Sequence, residues 1–320
     1  MPDTCVIGID LGGTKALSGV VAADGTVAHR AFRTVPKPAS TEDVLELLVA
    51  AAREAEEAAG VPARAVGVGI PSLVDQRTGT AGATTHLPLG GVAVRDILSE
   101  RLGVPVAIDN DATAATLAEH RAGAAQGAQT AVLLTVGTGV GGGLVTGGNV
   151  MRGFSGAAGE IGHMSIDPNG GPCAGDCPGR GCLETYVSGT ALGRRVRETA
   201  EAHPDSAIAR AAADGSELDG ALCTELAHEG DTLAIGLLDE MGRTLGIAIA
   251  NLVNLLNPEI VVVGGGAMAA GELLLGPARA AVAERALAPP RDQVQIVATH
   301  FGDAAGMIGA AFLAHDRTGA

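Results

Sequence analysis

Two stretches of one design, IGIDLGGTKALSGVV (7–21) and LLTVGTGVGGGLVTG (133–147), decide how the chain is read. Each is an apolar strand, a turn of glycine and small polar residues, then a second apolar strand. Parallel strands need a crossover of a dozen or so residues, so strands this close predict antiparallel hairpins. A third strand follows in both cases, over 27–34 after the Asp24-Gly25 turn and over 149–152, and each hairpin becomes a meander. One glycine hairpin in each half predicts two α/β halves facing each other across a cleft.

Glycine lets backbone N–H groups approach a ligand closely, and successive N–H groups form anion-binding concavities. The pattern GxGxxG occurs at Gly137, Gly139 and Gly142. A dinucleotide fingerprint needs a helix to follow it; a strand follows here, which excludes that reading. GxxxxGK[ST] is absent, which excludes a Walker-A loop. A plain hairpin turn needs neither Asp10 nor Lys15 beside it, and Lys15 is one of two lysines in a chain with 19 arginines.

The stretch GEIGHMSIDPNGGPCAGDCPGRGCLE (159–184) holds three of the five cysteines, with His163 ahead of them and Glu160 and Glu184 at its ends. Cysteine and histidine at this density, split by Gly and Pro, fit a small metal-pinned loop in which His163, Cys173, Cys177 and Cys182 hold one zinc. The alternative is that the cysteines only pack. Cys5 and Cys223 stand alone in apolar surroundings and read as core. The chain opens without a basic, apolar signal segment, so a reducing cytoplasmic location is expected, where clustered cysteines argue against disulfides.

The formal charge is 21 − 36 = −15. That excludes a nucleic-acid or anionic membrane surface, since both need a basic footprint. The longest apolar run, 245–256, is too short to span a bilayer and carries two asparagines. Apolar spacing and end signals predict helices over 41–59, 92–102, 189–202, 231–256, 271–287 and 304–315, and another opening near Asp111. Strands are predicted over 66–70, 104–108, 259–263 and 294–298.

Taken together these segments resemble the ROK sugar kinases, on the two-domain ribonuclease H-like fold of actin and hexokinase. IDLGGTK is similar to that family's first phosphate motif, DNDATAA to its catalytic motif and TVGTGVGGG to its second phosphate motif. GAAGEIGH with CPGRGCLE resembles its signature and zinc site, VVVGGG its adenosine motif, and GDAAGMIGAA its closing helix. The resemblance implies a small domain over 1–113, closed by a C-terminal helix over 303–320, and a large domain over 114–302 that carries the zinc loop 160–184. It implies ATP and Mg²⁺ on Asp10, Gly12, Gly13, Thr14, Lys15, Thr138, Gly139 and Gly142, and the nucleoside against Gly265 and Gly266. Asn110, Asp111, Glu160, His163 and Glu184 would bind the sugar hydroxyls. Asp109 and Asp111 compete as base, and either could merely cap a helix; the family places the base directly after the Asn, which selects Asp111.

Two features depart from the pattern. The cysteines are spaced C-x3-C-x4-C where the family usually has C-x-C-x4-C, which singles out Cys173. The sugar-flanking loop reads THLPLGG, with His86 where many members carry Asn. The activity implied is transfer of the ATP γ-phosphoryl group to the primary hydroxyl of a hexose, glucose foremost. Its rivals are kinases for N-acetylmannosamine, mannose, fructose or a cyclitol, a sugar-sensing protein without catalysis, and a repressor. A repressor would need several dozen residues of DNA-binding domain ahead of Asp10. The chain is also expected to form a homo-oligomer, a dimer or a tetramer.

Overall fold

The computed structural model describes residues 3–82, 87–175 and 177–318, so His86 lies outside the described residues. Strands β1 (Cys5–Leu11), β2 (Lys15–Val21) and β3 (Val27–Thr34) lead to helix α1 (Thr41–Ala59) and strand β4 (Ala63–Ile70). A small ribbon, β5 (Val74–Asp75) and β6 (Thr80–Ala81), precedes α2 (Val94–Leu102), β7 (Val106–Asn110) and α3 (Asp111–Ala122). The second series opens with β8 (Thr130–Val136), β9 (Val140–Thr146) and β10 (Asn149–Val150). Helices α4 (Glu184–Val187), α5 (Gly189–Ala202), α6 (Ala207–Ala213), α7 (Gly220–His228) and α8 (Thr232–Leu256) follow. The chain ends with β11 (Ile260–Gly264), α9 (Glu272–Arg285), α10 (Pro290–Gln293), β12 (Gln295–Ala298) and α11 (Ala305–Thr318).

Both expected meanders form, and the two main sheets repeat one order, β3-β2-β1-β4-β7 and β10-β9-β8-β11-β12. In each, three antiparallel strands adjoin two parallel ones. The ends of α1 are chemical: the Ser40 hydroxyl accepts from the Asp43 N–H, Asp43 accepts from the Ser40 N–H, and Gly60 closes the helix at φ 66°. Strand β9 starts four residues earlier than its apolar run suggests, because Gly141, Gly142 and Gly143 are strand rather than turn. Helices α6 and α7 were not foreseen. Among the described residues no helix is long and apolar enough to cross a membrane.

The chain packs into two units: Met1–Gly127, Gly143–Gly159 and Thr299–Ala320 in unit 1, Ala128–Gly142 and Glu160–Ala298 in unit 2. The division expected between 113 and 114 thus falls after α3, and 143–159 joins unit 1. In unit 1, β1 is buried on both faces. Ile7, Ile9 and Leu11 pack with Leu48 of α1, while Val6 packs with Met307 and Phe312 of α11.

Helix α3 packs on α11 in unit 1, and a buried carboxylate ties it there as well. Glu119, 1% exposed, accepts from the backbone N–H groups of Ala124 (2.8 Å), His300 (3.1 Å) and Phe301 (2.9 Å) and from the Thr299 hydroxyl. It gathers the chain on the unit 1 side of two crossings between the units. Truncation would strand several donors, each costing about 1–3 kcal/mol when buried and unpaired. Glu119→Ala is therefore expected to lower the thermal midpoint by several degrees or more, with Glu119→Gln intermediate, in a calorimetric melt.

Candidate functional site

The residues singled out in the sequence divide between the units. Asp10, Gly12, Gly13, Thr14, Lys15, Asn110 and Asp111 belong to unit 1; Thr138, Gly139, Gly142, Glu160, His163, Cys173, Cys177, Cys182, Glu184, Gly265 and Gly266 belong to unit 2.

In unit 1 the first glycine turn is closed by the Gly12 N–H donating to the Lys15 carbonyl at 2.8 Å. Asp10, at the end of β1, lies under the start of α11. A Cβ on Gly306 would sit 2.6 Å from the Asp10 carboxylate, so the glycine in the closing-helix motif is what leaves room for it. Burial, and then the nearby Asp111 carboxylate, push Asp10 up to about 7; Lys15 opposes them and Asp303 adds to them. A carboxylate held at such a cost is suited to a cation. Lys15 is exposed, its ammonium 5.1 Å from the Phe32 ring centroid.

The triplet 109–111 separates its two carboxylates cleanly. Asp109, 0% exposed, accepts from Arg152 Nε at 2.7 Å, from Gln76 Nε2 at 2.8 Å and from the Asn110 N–H at 3.0 Å. Its oxygens are committed inside the fold. Burial raises its pKa, and Arg152 counters that first among the lowering contacts. Removing one partner of such a pair costs about 3–5 kcal/mol. The cap of α3 is Asn110, whose Oδ1 accepts from the Thr113 N–H at 3.0 Å. Asp111 is the first residue of α3, half-buried, with Oδ1 accepting from the Ala112 N–H at 2.8 Å.

In unit 2 the second turn is narrow, Gly137 to Gly139, with Gly142 buried inside β9. The start of α5 holds it: the Gly189 N–H donates to the Gly137 carbonyl (2.7 Å) and the Thr190 hydroxyl to the Thr138 carbonyl (2.8 Å). Glu184 holds it from another side, Oε2 accepting from the Val140 N–H at 2.8 Å. A Cβ on Gly139 would collide with that same oxygen. Gly265 adopts φ 86°, and Gly266 opens a short 3-10 turn after β11.

The 159–184 stretch brings its four ligand candidates together, Cys173 included. One donor atom from each of His163, Cys173, Cys177 and Cys182 lies within 4.8 Å of the others. Cys173 Sγ is 3.5 Å from His163 Nδ1, while His163 Nε2 faces Glu160 Oε2 at 3.9 Å. One ring nitrogen thus turns to the thiols and the other to the carboxylate. Gly179 fits over the sulfurs; a Cβ there would be 2.7 Å from Cys182 Sγ and 3.2 Å from Cys177 Sγ. Burial, then the neighbouring thiols, push the Cys173 thiol up to about 12, a crowding of soft donors that suits a bound cation. Partial burial raises the Glu160 carboxyl, His163 lowers it and Glu184 raises it.

The ROK family pattern matches residues 6–317. The chain belongs to the ROK family. A glucokinase of Thermotoga maritima is 35% identical over the whole of both chains. An N-acetylmannosamine kinase of Shigella flexneri is 33% identical, covering 97% of this chain and 98% of the relative. A ROK glucokinase of Streptomyces griseus, solved in complex with glucose and AMPPNP, superposes with a TM-score of 0.88 at 35% identity, covering 98% and 99% of the two chains. The fold of this ROK protein is accordingly the two-domain ribonuclease H-like α/β fold of actin and hexokinase type.

Two groups here were not among the sequence candidates, Arg152 and Gln76. Both donate to Asp109, and neither belongs to a local pattern. In the sequence Arg152 ends an expected strand, 149–152, shortly before the glycine signature, with no sign of its partner.

Proposed function

We propose that this ROK protein is an ATP-dependent glucokinase, transferring the γ-phosphoryl group of ATP to the primary hydroxyl of glucose. The observation that carries the reading is the full-length likeness to a glucokinase solved with glucose and an ATP analogue. A sugar hydroxyl is a poor nucleophile and ATP repels it, so catalysis rests on positioning, a base and compensation of phosphate charge. Asp111 is the base, taking the hydroxyl proton as the oxygen attacks phosphorus. Its rival Asp109 is enclosed by Arg152 and Gln76, which supports that choice. Asn110, Glu160, His163 and Glu184 orient the sugar, with His163 offering the nitrogen that faces Glu160. The N–H groups of the two turns and Lys15 face the phosphates, and the segment at Gly265 and Gly266 faces the nucleoside. Mg²⁺ would add positive charge on the phosphates, with Asp10 as its carboxylate, through the ion's water shell.

Release of ADP measured across glucose, mannose, fructose, N-acetylmannosamine and a cyclitol tests the substrate. Glucose should give the highest kcat/KM, and a maximum at N-acetylmannosamine would transfer the reading to the kinase of that sugar. Asp111→Asn is expected to lower kcat by roughly two to four orders of magnitude while ATP still binds. Near-normal turnover in that variant, with Asp109→Asn inactive, would reverse the assignment of the base.

His163, Cys173, Cys177 and Cys182 would hold one structural zinc: three thiols and one imidazole match its tetrahedral N/S preference and leave no open position. Its contribution would be mechanical, fixing the loop between Glu160 and Glu184. Elemental analysis should find about one zinc per chain. Cys177→Ser and Cys182→Ser should bind glucose about a hundredfold more weakly, since sugar clamps depend on ångström placement. Cys5→Ser and Cys223→Ser should change little, and a fully active preparation free of metal would remove zinc from the reading.

A further inference from the structure

Arg152 stands eight residues before Glu160 and reaches, inside unit 1, the buried carboxylate next to the proposed base. Its Nε donates to Asp109 at 2.7 Å; Asp109 in turn accepts from the Asn110 N–H, and Asn110 caps the helix on which Asp111 is the first residue. Gln76 completes the enclosure, donating from Nε2 to Asp109 at 2.8 Å and to the Ile108 carbonyl at 3.2 Å. The chain of contacts runs from a half-buried guanidinium to the first turn of α3 without a gap. Each link is short, and Asp109 itself is wholly removed from water.

We propose that Arg152 is a positioning residue for phosphoryl transfer, setting the start of α3, and with it Asp111, through the buried Asp109. The proposal rests on the reading of Asp111 as the base. An ion pair whose only task was stability would be an inefficient device, because burying two charges costs about as much as their attraction returns. What a fully partnered buried carboxylate supplies is a fixed place: its oxygens accept only where Arg152, Gln76 and the Asn110 N–H hold them. A base must reach the attacking hydroxyl to within tenths of an ångström, and a misplacement of about 1 Å costs about a hundredfold.

The surroundings of Arg152 make the role testable by replacement from solution. Arg152 lines a cavity of about 330 Å³ in unit 1, together with Gln76, Arg95 and Leu313, and its side chain is 30% exposed. Truncation would open that cavity onto Asp109, and the space is ample for a free guanidinium ion. Methylguanidinium should therefore occupy the vacated position and donate to Asp109 in place of the lost Nε.

The experiment compares wild type, Arg152→Ala, Arg152→Lys and Arg152→Ala/Asp111→Asn by steady-state kinetics with and without added methylguanidinium, after melts identify which fold. Arg152→Ala is expected to lose roughly a hundredfold in kcat with KM for ATP little changed, as displacement of the base requires. Added methylguanidinium should recover at least about tenfold of that loss, with no gain in wild type or the double variant. Arg152→Lys keeps the charge without the planar fork and should fall between the two; it carries the test if Arg152→Ala does not fold. A folded Arg152→Ala with kcat within about threefold of wild type would overturn the proposal. So would a loss that methylguanidinium does not recover, or a folded Arg152→Lys as active as wild type. The Asp111→Asn single variant separates the two failures: if it turns over normally, the base assignment has failed, whatever Arg152 does.

Discussion

The contact on which unit 2 depends is the one between the Glu184 carboxylate and the Val140 N–H, 2.8 Å long, at a turn whose Gly139 leaves no room for a Cβ against that oxygen. Glu184 opens α4 two residues after Cys182, so whatever fixes the cysteine loop fixes this carboxylate. The turn is gripped again by Gly189 and Thr190 at the head of α5. The cysteine–histidine cluster, the carboxylates beside it and the second glycine turn consequently form one mechanical piece. A charge-assisted bond of this kind contributes about 1.5–3 kcal/mol and adds direction to the packing around it.

Unit 1 uses the same device, a carboxylate accepting from fixed donors. Asp109 is placed by Arg152 and Gln76, and Glu119 by the Thr299 hydroxyl and the backbone N–H groups of His300 and Phe301, so buried carboxylates set both ends of α3 while its apolar face packs on α11. This fits the composition. With 2% aromatic residues and 48 glycines, the chain has few bulky side chains with which to wedge an element in place. Directional bonds to buried charges add to the aliphatic packing, and they fix an atom's position more sharply than dispersion contacts do.

Much of this was legible beforehand, for physical reasons. The hairpins announce themselves because a glycine turn between two apolar strands admits no other connection, and α1 carries a capping box and a terminal glycine within its own sequence. The cysteine loop was readable from composition, and Cys173 joins the cluster despite the C-x3-C spacing. Strand β9 was shortened because three consecutive glycines hide the period-two signal that marks a strand. The roles of Arg152 and Glu119 were invisible: Arg152 pairs 43 residues away and three of the Glu119 partners lie 180 or more residues away, and nothing in a neighbouring sequence records such pairings. In the sequence only the family resemblance favours Asp111 over Asp109; the enclosure of Asp109 is a separate observation that adjacent letters do not carry.

The mechanical unity of unit 2 is open to one direct measurement, the affinity of Glu184→Ala for AMPPNP and for glucose, each by titration calorimetry on protein whose zinc content matches wild type. If Glu184 holds the second glycine turn as well as the sugar, both ligands should bind at least about tenfold more weakly. Loss of glucose affinity with AMPPNP affinity unchanged would contradict it, because the turn would then keep its shape without the carboxylate.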